Sequence, residues 1–421
     1  MTSLWRIFWL ELTSLLRSWT APMLVAASVG WMLAAERLLV TDATEEGSRE
    51  MVVRYGLGGV FALLVVALLA SATGSIASER EAKRLQLTQV RPVSAFSIAW
   101  GKFLALVAVG AAALAVPCAM TALSPRFAGR TCNHVAHPAM ESPRAEAEKM
   151  YDFYMADPDT PPEAKKAKKA VVLRLLEQRA KDNYMTVQTN ETVSWSFPSL
   201  ASRHATEKPP SVRLRFSNDF DMRDDVRGEV MADGLRGVVS NITRTAVLVP
   251  LVAAGTICEP GIVSFRNDGK SPVMLRPRQD VELLVEAGPF GWNILRAYVV
   301  MVSVIAFVVA FGIFLGAGLS RPVALFTAMV MLAVSEMSPS VVDQYPDQLE
   351  TDRIDRIGLA VTRFVERGTK SVSSLSPLSL VADDDCVEAG DAASTFALDF
   401  VALPALLCAL SALLIRRKQE P

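Results

Sequence analysis

The chain has 421 residues, of which 51% are hydrophobic and 21% charged, and its 44 acidic and 43 basic side chains give a formal net charge of -1. A mean hydropathy of +0.29 is too apolar for an ordinary soluble protein with this many charges, so the apolar residues must be concentrated in segments that leave water. Because no basic patch or helix-turn-helix spacing is present, we expect no nucleic-acid partner.

The first 19 residues predict an interfacial amphipathic helix. Tryptophan, phenylalanine and leucine recur at helical spacing on one side, and Arg6 and Arg17 lie opposite. The segment lacks the compact apolar core and the small-residue cleavage site of a signal peptide. We expect it to lie along the inner leaflet. The alternative, the start of an overlong first span, is disfavoured by Arg17 and Pro22.

Six segments are long and apolar enough to be transmembrane helices, since a hydrocarbon core about 30 Å thick needs roughly 20 residues. They are residues 21–40, 55–77, 101–123, 297–319, 322–337 and 395–415. The fifth is short and could be tilted or re-entrant. The sequence therefore predicts a polytopic α-helical membrane protein with about six transmembrane helices, grouped in domains 20–123, 294–337 and 395–421.

Charges beside the spans predict the orientation. Basic residues precede the first span, separate the second from the third and follow the last; they are Arg6, Arg17, Arg80, Lys83, Arg84, Arg91, Lys102, Arg416, Arg417 and Lys418. The first connection, TDATEEGSRE, is mainly acidic. Because basic segments stay in the cytoplasm, we expect cytoplasmic termini and external segments 124–293 and 338–394.

No ionisable residue is expected at mid-membrane. Six such residues fall at the ends of predicted spans: Glu36, Arg37, Arg54, Arg296, Glu336 and Asp399. A proton or sodium relay needs charge-changing groups near the middle, so any uphill transport should be powered by another subunit. The nearest approach to a phosphate loop, SFRNDGKS, has Ser264 in place of the first glycine and lies in an external segment, so it is not expected to bind nucleotide.

Residues 78–102, SEREAKRLQLTQVRPVSAFSIAWGK, predict a helix, a turn and a second helix between spans two and three. Two glutamates open a short amphipathic helix with two leucines as its apolar contacts. Pro92 ends that helix, and Ser94 begins the next as its N-cap. Lys102 stands at the inner mouth of span three, where it can extend to lipid phosphates.

This hairpin resembles the coupling loop of permease subunits of the ABC-2 transporter family. The matching residues are Glu79, Glu81, Leu85, Leu87, Pro92, Val93, Ser94, Gly101 and Lys102. The resemblance implies a coupling loop at 78–100, in which residues 78–94 fit a cleft on a nucleotide-binding subunit. The chain departs from the family pattern at 82–84, where Ala-Lys-Arg replaces a small Gly-Thr element.

The resemblance implies the membrane subunit of an ATP-driven exporter in the bacterial cytoplasmic (inner) membrane. Its expected partners are an ABC ATPase subunit, which would hold ATP and Mg²⁺, a second permease copy or homologue, and membrane lipid. No cofactor and no catalytic residue are expected in this chain. The alternative is a membrane-anchored scaffold or interaction protein whose external β-domain binds an envelope partner. The cytoplasmic turn before Pro322 also carries Arg321, which we interpret as a topology determinant; contact with the ATPase is the other interpretation.

The insert, 124–293, is predicted to be helical at 140–185 and a β-sandwich at 186–288. Seven short runs with β character recur between turn signals: TVQTNETVSWSF, SVRLRF, VRGEVM, AVLVPLVAAG, GIVSFRNDG, PVMLRP and DVELLVEAG. The second external segment, 338–394, contains an amphipathic helix that is expected to lie against the outer leaflet or to cap the helix bundle; a helix packed beneath the sandwich is the alternative.

Three of the five cysteines fall in external segments, which allows one intramolecular disulfide. Cys132 with Cys258 is the predicted pair, because both flank or lie in the insert, and Cys386 is the third; unpaired thiols are the alternative. The stretch CNHVAH contains Cys132, His134 and His137, but without a clear fourth ligand it predicts no metal site.

Overall fold

The computed structural model describes residues 3–38, 45–82, 94–157, 169–181, 183–197, 210–216, 226–232, 235–240, 247–253, 261–344 and 377–417. The chain forms two compact units. The helical unit comprises residues 1–132 and 288–421, and the insert unit comprises residues 133–287.

The helices are numbered in chain order. They are α1 (Ser3–Arg17), α2 (Thr20–Leu38), α3 (Glu45–Met51), α4 (Gly58–Glu81), α5 (Ala95–Leu123), α6 (Pro143–Ala156), α7 (Lys169–Lys181), α8 (Pro277–Asp280), α9 (Phe290–Gly318), α10 (Arg321–Gln344), α11 (Pro377–Ala382), α12 (Ala389–Thr395) and α13 (Leu403–Arg417). Two π-helical segments, Val52–Leu57 and Phe396–Ala402, join α3 to α4 and α12 to α13, and a short 3₁₀ turn, Pro125–Phe127, follows α5.

Four helices in the described part of the chain are long and apolar enough to cross a membrane. They are Gly47–Glu81, Ala95–Leu123, Phe290–Gly318 and Ala389–Arg417. These four confirm the prediction of a helical membrane protein. The predicted count of about six is not reached, because α2 meets the same criterion only together with α1, and the apolar part of α10, Arg321–Ala333, is shorter. Spans at these two places remain predictions.

The N-terminal helix α1 is separated from α2 by a bend of 58°. Trp19 lies at the bend with a backbone φ of +61°, in the left-handed region. No residue of α1 is fully buried, and Trp5 and Trp9 are exposed. A helix is therefore present where an interfacial helix is predicted.

Helix α9 forms the centre of the helical unit and packs against α4, α5, α10 and α13. Small residues allow its close approach to α4. A Cβ atom on Gly312 would lie 2.8 Å from Cβ of Ala72, and one on Gly316 would lie 2.5 Å from the carbonyl oxygen of Thr73. This Gly-x-x-x-Gly contact brings the two backbones together, as in many membrane helix pairs.

One buried ionisable residue lies inside an apolar helix, which corrects the expectation that such residues occur only at span ends. Asp399 is completely buried within Ala389–Arg417. The predicted span began at 395, whereas the helix begins six residues earlier, so Asp399 is an interior residue. Lys102 is also buried, but it lies near the start of its helix, Ala95–Leu123, where α1 and α4 contact it.

The strands are β1 (Thr131–Ala136), β2 (Met185–Val187), β3 (Thr192–Ser196), β4 (Ser211–Leu214), β5 (Arg227–Ala232), β6 (Leu235–Ser240), β7 (Val247–Pro250), β8 (Val252–Ala253), β9 (Ile262–Asn267), β10 (Val273–Leu275) and β11 (Val281–Pro289). They form a four-stranded sheet ordered β1-β11-β4-β7, a five-stranded sheet ordered β3-β9-β5-β6-β8, and a β2-β10 pair.

The insert unit buries side chains from both larger sheets in one apolar core. Val212 and Leu283 come from the first sheet, and Val230 and Phe265 from the second. Every one of the seven predicted β runs contains a strand, and β1 and β6 are additional. A separate β-sheet region is thus confirmed, while the sandwich remains a prediction. Helices α6 and α7 pack together through a smaller cluster made by Ala147, Val172 and Leu176.

The predicted disulfide partner of Cys132 was wrong. Cys132 is bonded to Cys386, with the two Cα atoms 5.2 Å apart, and Cys258 lies outside the described residues. The prediction weighted proximity along the sequence. Both bonded cysteines instead belong to the helical unit, one just after α5 and the other just before α12. The thiols of Cys118 and Cys408 are free and buried.

Candidate functional site: the charged end of the helical unit

One end of the helical unit contains a buried ion-pair cluster formed by Glu11, Glu79 and Lys102. The Nζ atom of Lys102 on α5 lies 3.0 Å from Oε2 of Glu11 on α1 and 2.9 Å from Oε1 of Glu79 on α4. The Lys102 side chain is only 4% exposed. A buried ammonium is costly unless it is paired, so the two carboxylates stabilise it and join three helices. Lys102 therefore contacts carboxylates here, not the lipid phosphates that the sequence suggested.

The residue after Glu79 binds the end of α9. Arg80 donates hydrogen bonds from Nη1 to the carbonyl oxygen of Ala317, at 2.8 Å, and from Nη2 to that of Leu319. The last carbonyls of a helix have no partner within the helix and carry partial negative charge. Arg80 satisfies two carbonyl groups at this terminus and places its own positive charge beside them.

Glu81 contacts the beginning of α10. The backbone N–H of Arg321 donates to Oε1 of Glu81 at 3.2 Å, where a carboxylate is favourable beside a helix N-terminus. The Arg321 side chain lies against α4, since a Cβ atom on Gly74 would be 3.2 Å from its Nε. Three consecutive side chains at the end of α4 therefore contact α5, α9 and α10, and the cluster extends this set to α1.

The start of α5 is held against α1 by short polar and backbone contacts. Ser94 is the N-cap of α5, because its Oγ accepts from the backbone N–H of Ser97 at 3.1 Å, as predicted. The hydroxyl groups of Ser3 and Ser97 lie 3.1 Å apart. At Gly101 a Cβ atom would lie 2.7 Å from Cγ2 of Ile7, so only glycine allows this approach without rearrangement.

The structure brings together five of the nine residues predicted for the coupling loop. They are Glu79, Glu81, Ser94, Gly101 and Lys102. The other four, Leu85, Leu87, Pro92 and Val93, lie outside the described residues.

Sequence reasoning missed Glu11 and the specific role of Arg80. A signal for Glu11 was present, since it is the one acidic residue in the first 35. A single carboxylate in an amphipathic helix whose other charged residues are basic suggests a specific partner. Arg80 was counted only as one of several basic residues that set the orientation.

Outside this end, the insert unit carries an open groove of about 750 Å³ between α6 and α7. Met150, Phe153 and Leu176 supply apolar lining, with Lys149 and Arg179 beside them. Phe153 is 85% exposed. Within the described ranges, no cluster of three His, Cys, Asp or Glu residues is arranged to hold a metal ion, and Cys132 of CNHVAH is in the disulfide.

No protein-family model, curated protein or solved structure matches this chain. The four long apolar helices define a membrane protein with a separate β-sheet region.

Proposed function

We propose that this chain is the membrane-spanning permease subunit of an ATP-driven ABC-2 type exporter. A separate ABC ATPase subunit binds ATP and Mg²⁺, and a second permease copy or homologue completes the complex. The observation that carries the proposal is the tripeptide Glu79-Arg80-Glu81. It lies one residue before residues 83–93, the middle of the proposed coupling loop, and it contacts α5, α9 and α10.

This arrangement suits the transmission of force from the loop to the helices. A displacement of residues 83–93 acts first on the end of α4. Short charge-assisted contacts connect that end to the start of α5, to the α9–α10 turn and, through Lys102, to α1. Such hydrogen bonds are shorter and stronger than neutral ones, so neighbouring helices move with the loop more readily than through apolar contacts alone.

Two independent features of the chain favour the same orientation in the membrane. Basic residues beside the proposed spans favour a cytoplasmic location for the Lys102 end and for both termini. The Cys132–Cys386 disulfide belongs in an oxidising compartment, which favours an external location for the opposite end. We therefore place the protein in the bacterial cytoplasmic membrane, with the insert unit outside and lipid around the spans.

Affinity purification of the full-length chain from its native membranes tests the proposal. We expect a protein with a phosphate loop to copurify, as identified by mass spectrometry. Leu85→Asp in the coupling loop should abolish this association. The matched control is Leu175→Asp, the same substitution at an exposed leucine of the insert unit, which should leave the ATPase bound.

The groove beside α6 favours a second candidate, a membrane-anchored protein whose insert unit binds an envelope partner. Phe153 lines this groove, and Leu175 lies on α7 outside its lining; both are exposed, and such apolar surface is common in interaction sites. The same two variants separate the candidates, because this function predicts the opposite result. Loss of a specific envelope protein with Leu175→Asp, together with no ATPase in any sample, would favour the second candidate over the first.

A further inference from the structure

At the disulfide end of the helical unit, residues 377–388 are held against three other segments; we name these residues the clasp. Cys386 is bonded to Cys132, which follows α5. Asp383 pairs with Arg54 at 3.2 Å, and Asp384 pairs with Arg130 at 2.8 Å. The clasp ends directly before α12, so these contacts hold the start of the last apolar helix in position.

The Arg130–Asp384 ion pair and the disulfide connect residues with the same spacing on both segments. Arg130 precedes Cys132 by two residues, and Asp384 precedes Cys386 by two residues. The Arg130–Asp384 pair therefore joins the same two chain segments as the sulfur–sulfur bond. On each segment the charged residue lies two positions before the cysteine. Both side chains of the pair are partly shielded from water, which limits its screening by salt.

The N-terminal turn of α9 holds both cysteine segments. The buried amide of Asn293 donates to the carbonyl oxygen of Asp385 at 2.6 Å and accepts from the N–H of Val387 at 2.8 Å, so it binds the backbone on both sides of Cys386. The backbone N–H of Phe290 donates to the carbonyl oxygen of Arg130 at 3.0 Å. The Phe290 ring also stacks on Phe127, with ring centres 4.6 Å apart.

We propose that the Arg130–Asp384 ion pair and Asn293 are positioning residues that direct Cys132 to Cys386 and away from Cys258. Chain length alone favours the other choice, because Cys258 is about half as far along the chain from Cys132 as Cys386 is. A doubling of loop length lowers the effective concentration of the two ends about threefold. The positioning residues overcome this difference by holding the two correct segments together before the bond forms.

The chemistry is an ordinary thiol–disulfide exchange. The two thiols lose two protons and two electrons, and a protein or small-molecule disulfide takes them up and is reduced to two thiols. Cys386 lies three residues before the start of α12, so the bond ties the segment that leads into the last apolar helix to the segment after α5. This inference does not depend on the transport function.

Disulfide mapping of the full-length chain in its native membranes tests the proposal. Free thiols are alkylated, the protein is digested, and bridged peptides are quantified by mass spectrometry. We expect the wild type to give the Cys132–Cys386 peptide. Arg130→Glu should lower its yield at least threefold, with the difference recovered as Cys132–Cys258 or as alkylated Cys132. Asp384→Arg alone should do the same.

The variant that exchanges the two charges is the decisive test of the ion pair. The double variant Arg130→Glu/Asp384→Arg restores an ion pair of opposite direction and should return the Cys132–Cys386 peptide to near the wild-type yield. The matched control is Arg54→Glu, which breaks the neighbouring pair with Asp383 and should leave the connectivity unchanged. If a charge reversal prevents accumulation of the protein, Arg130→Gln provides the milder test. Unchanged connectivity in both single variants, or no recovery in the double variant, would overturn the proposal.

Discussion

Replacing Lys102 with methionine should destabilise the helical unit strongly, although methionine has a similar volume and is apolar. The change leaves the carboxylates of Glu11 and Glu79 without the ammonium that lies 3.0 Å and 2.9 Å from them. Removing one partner of a buried ion pair costs about 3–5 kcal/mol. The side chains of Glu11 and Glu79 are 15% and 33% exposed, so water relieves part of this cost, and we expect about 3 kcal/mol.

The assay is reversible unfolding of the purified protein in mixed micelles, followed by the loss of tertiary structure. Lys149→Met is the control, since its partner Glu141 and Lys149 itself are both largely exposed; such pairs contribute about 0–1 kcal/mol. A triple variant that also neutralises Glu11 and Glu79 as glutamine should recover most of the loss, because no buried charge then lacks a partner. A Lys102→Met effect below about 1 kcal/mol, or a triple variant no more stable than the single one, would refute this reasoning.

Three further predictions follow from other contacts. Arg80→Gln should cost about 1.5–3 kcal/mol in the same assay, because it removes two charge-assisted hydrogen bonds to the end of α9. Gly316→Ala should destabilise the α4–α9 contact, whereas Gly318→Ala should be nearly neutral, since its Cβ would lie 3.7 Å from the nearest side chain; unfolding of the two variants compares them directly. Cys386→Ser should lower the free energy of unfolding by about 2–5 kcal/mol and make the Cys132 thiol available for alkylation. If Cys132 is already alkylated in the wild type, the disulfide is absent and the prediction is wrong.

Local patterns were sufficient to predict the long helices and most strands. Each depends on a periodicity or a run of one residue type that can be seen within ten to thirty residues. Ser94 shows this at the smallest scale, since a cap depends on its own side chain and on a backbone N–H three residues later. The seven β runs were found for the same reason, because each is a short run with β character between turn signals.

Two strands were missed because their sequences lack that pattern. β1 contains Asn133, a residue type depleted in strands, and its sequence TCNHVA shows no regular alternation of apolar and polar residues. β6 has Gly237 at its centre, which normally weakens a strand. The structure gives the reason for this glycine: a Cβ atom there would lie 2.4 Å from a side-chain atom of Val249, so β7 can approach only a residue without a side chain.

The candidate site could be predicted only in part, because its contacts join residues far apart in the sequence. Glu11 and Lys102 are separated by 91 positions, and Arg80 and Ala317 by 237. A single sequence shows that these residues are charged, but not which carbonyl or carboxylate they reach. The same limit explains the wrong disulfide partner, where proximity along the chain was used in place of proximity in the fold.

The two ends of the helical unit are held by different kinds of contact, and this difference bears on where the helices can move. At the clasp a covalent bond joins the segment after α5 to the segment before α12, and Asn293 of α9 binds the latter. At the opposite end the links are ion pairs and hydrogen bonds, which can exchange partners without breaking a covalent bond. Relative motion of α4, α5 and α9 therefore requires less disruption at the Lys102 end. A force applied through residues 83–93 would act where the bundle is free to rearrange, with the clasp as the fixed point.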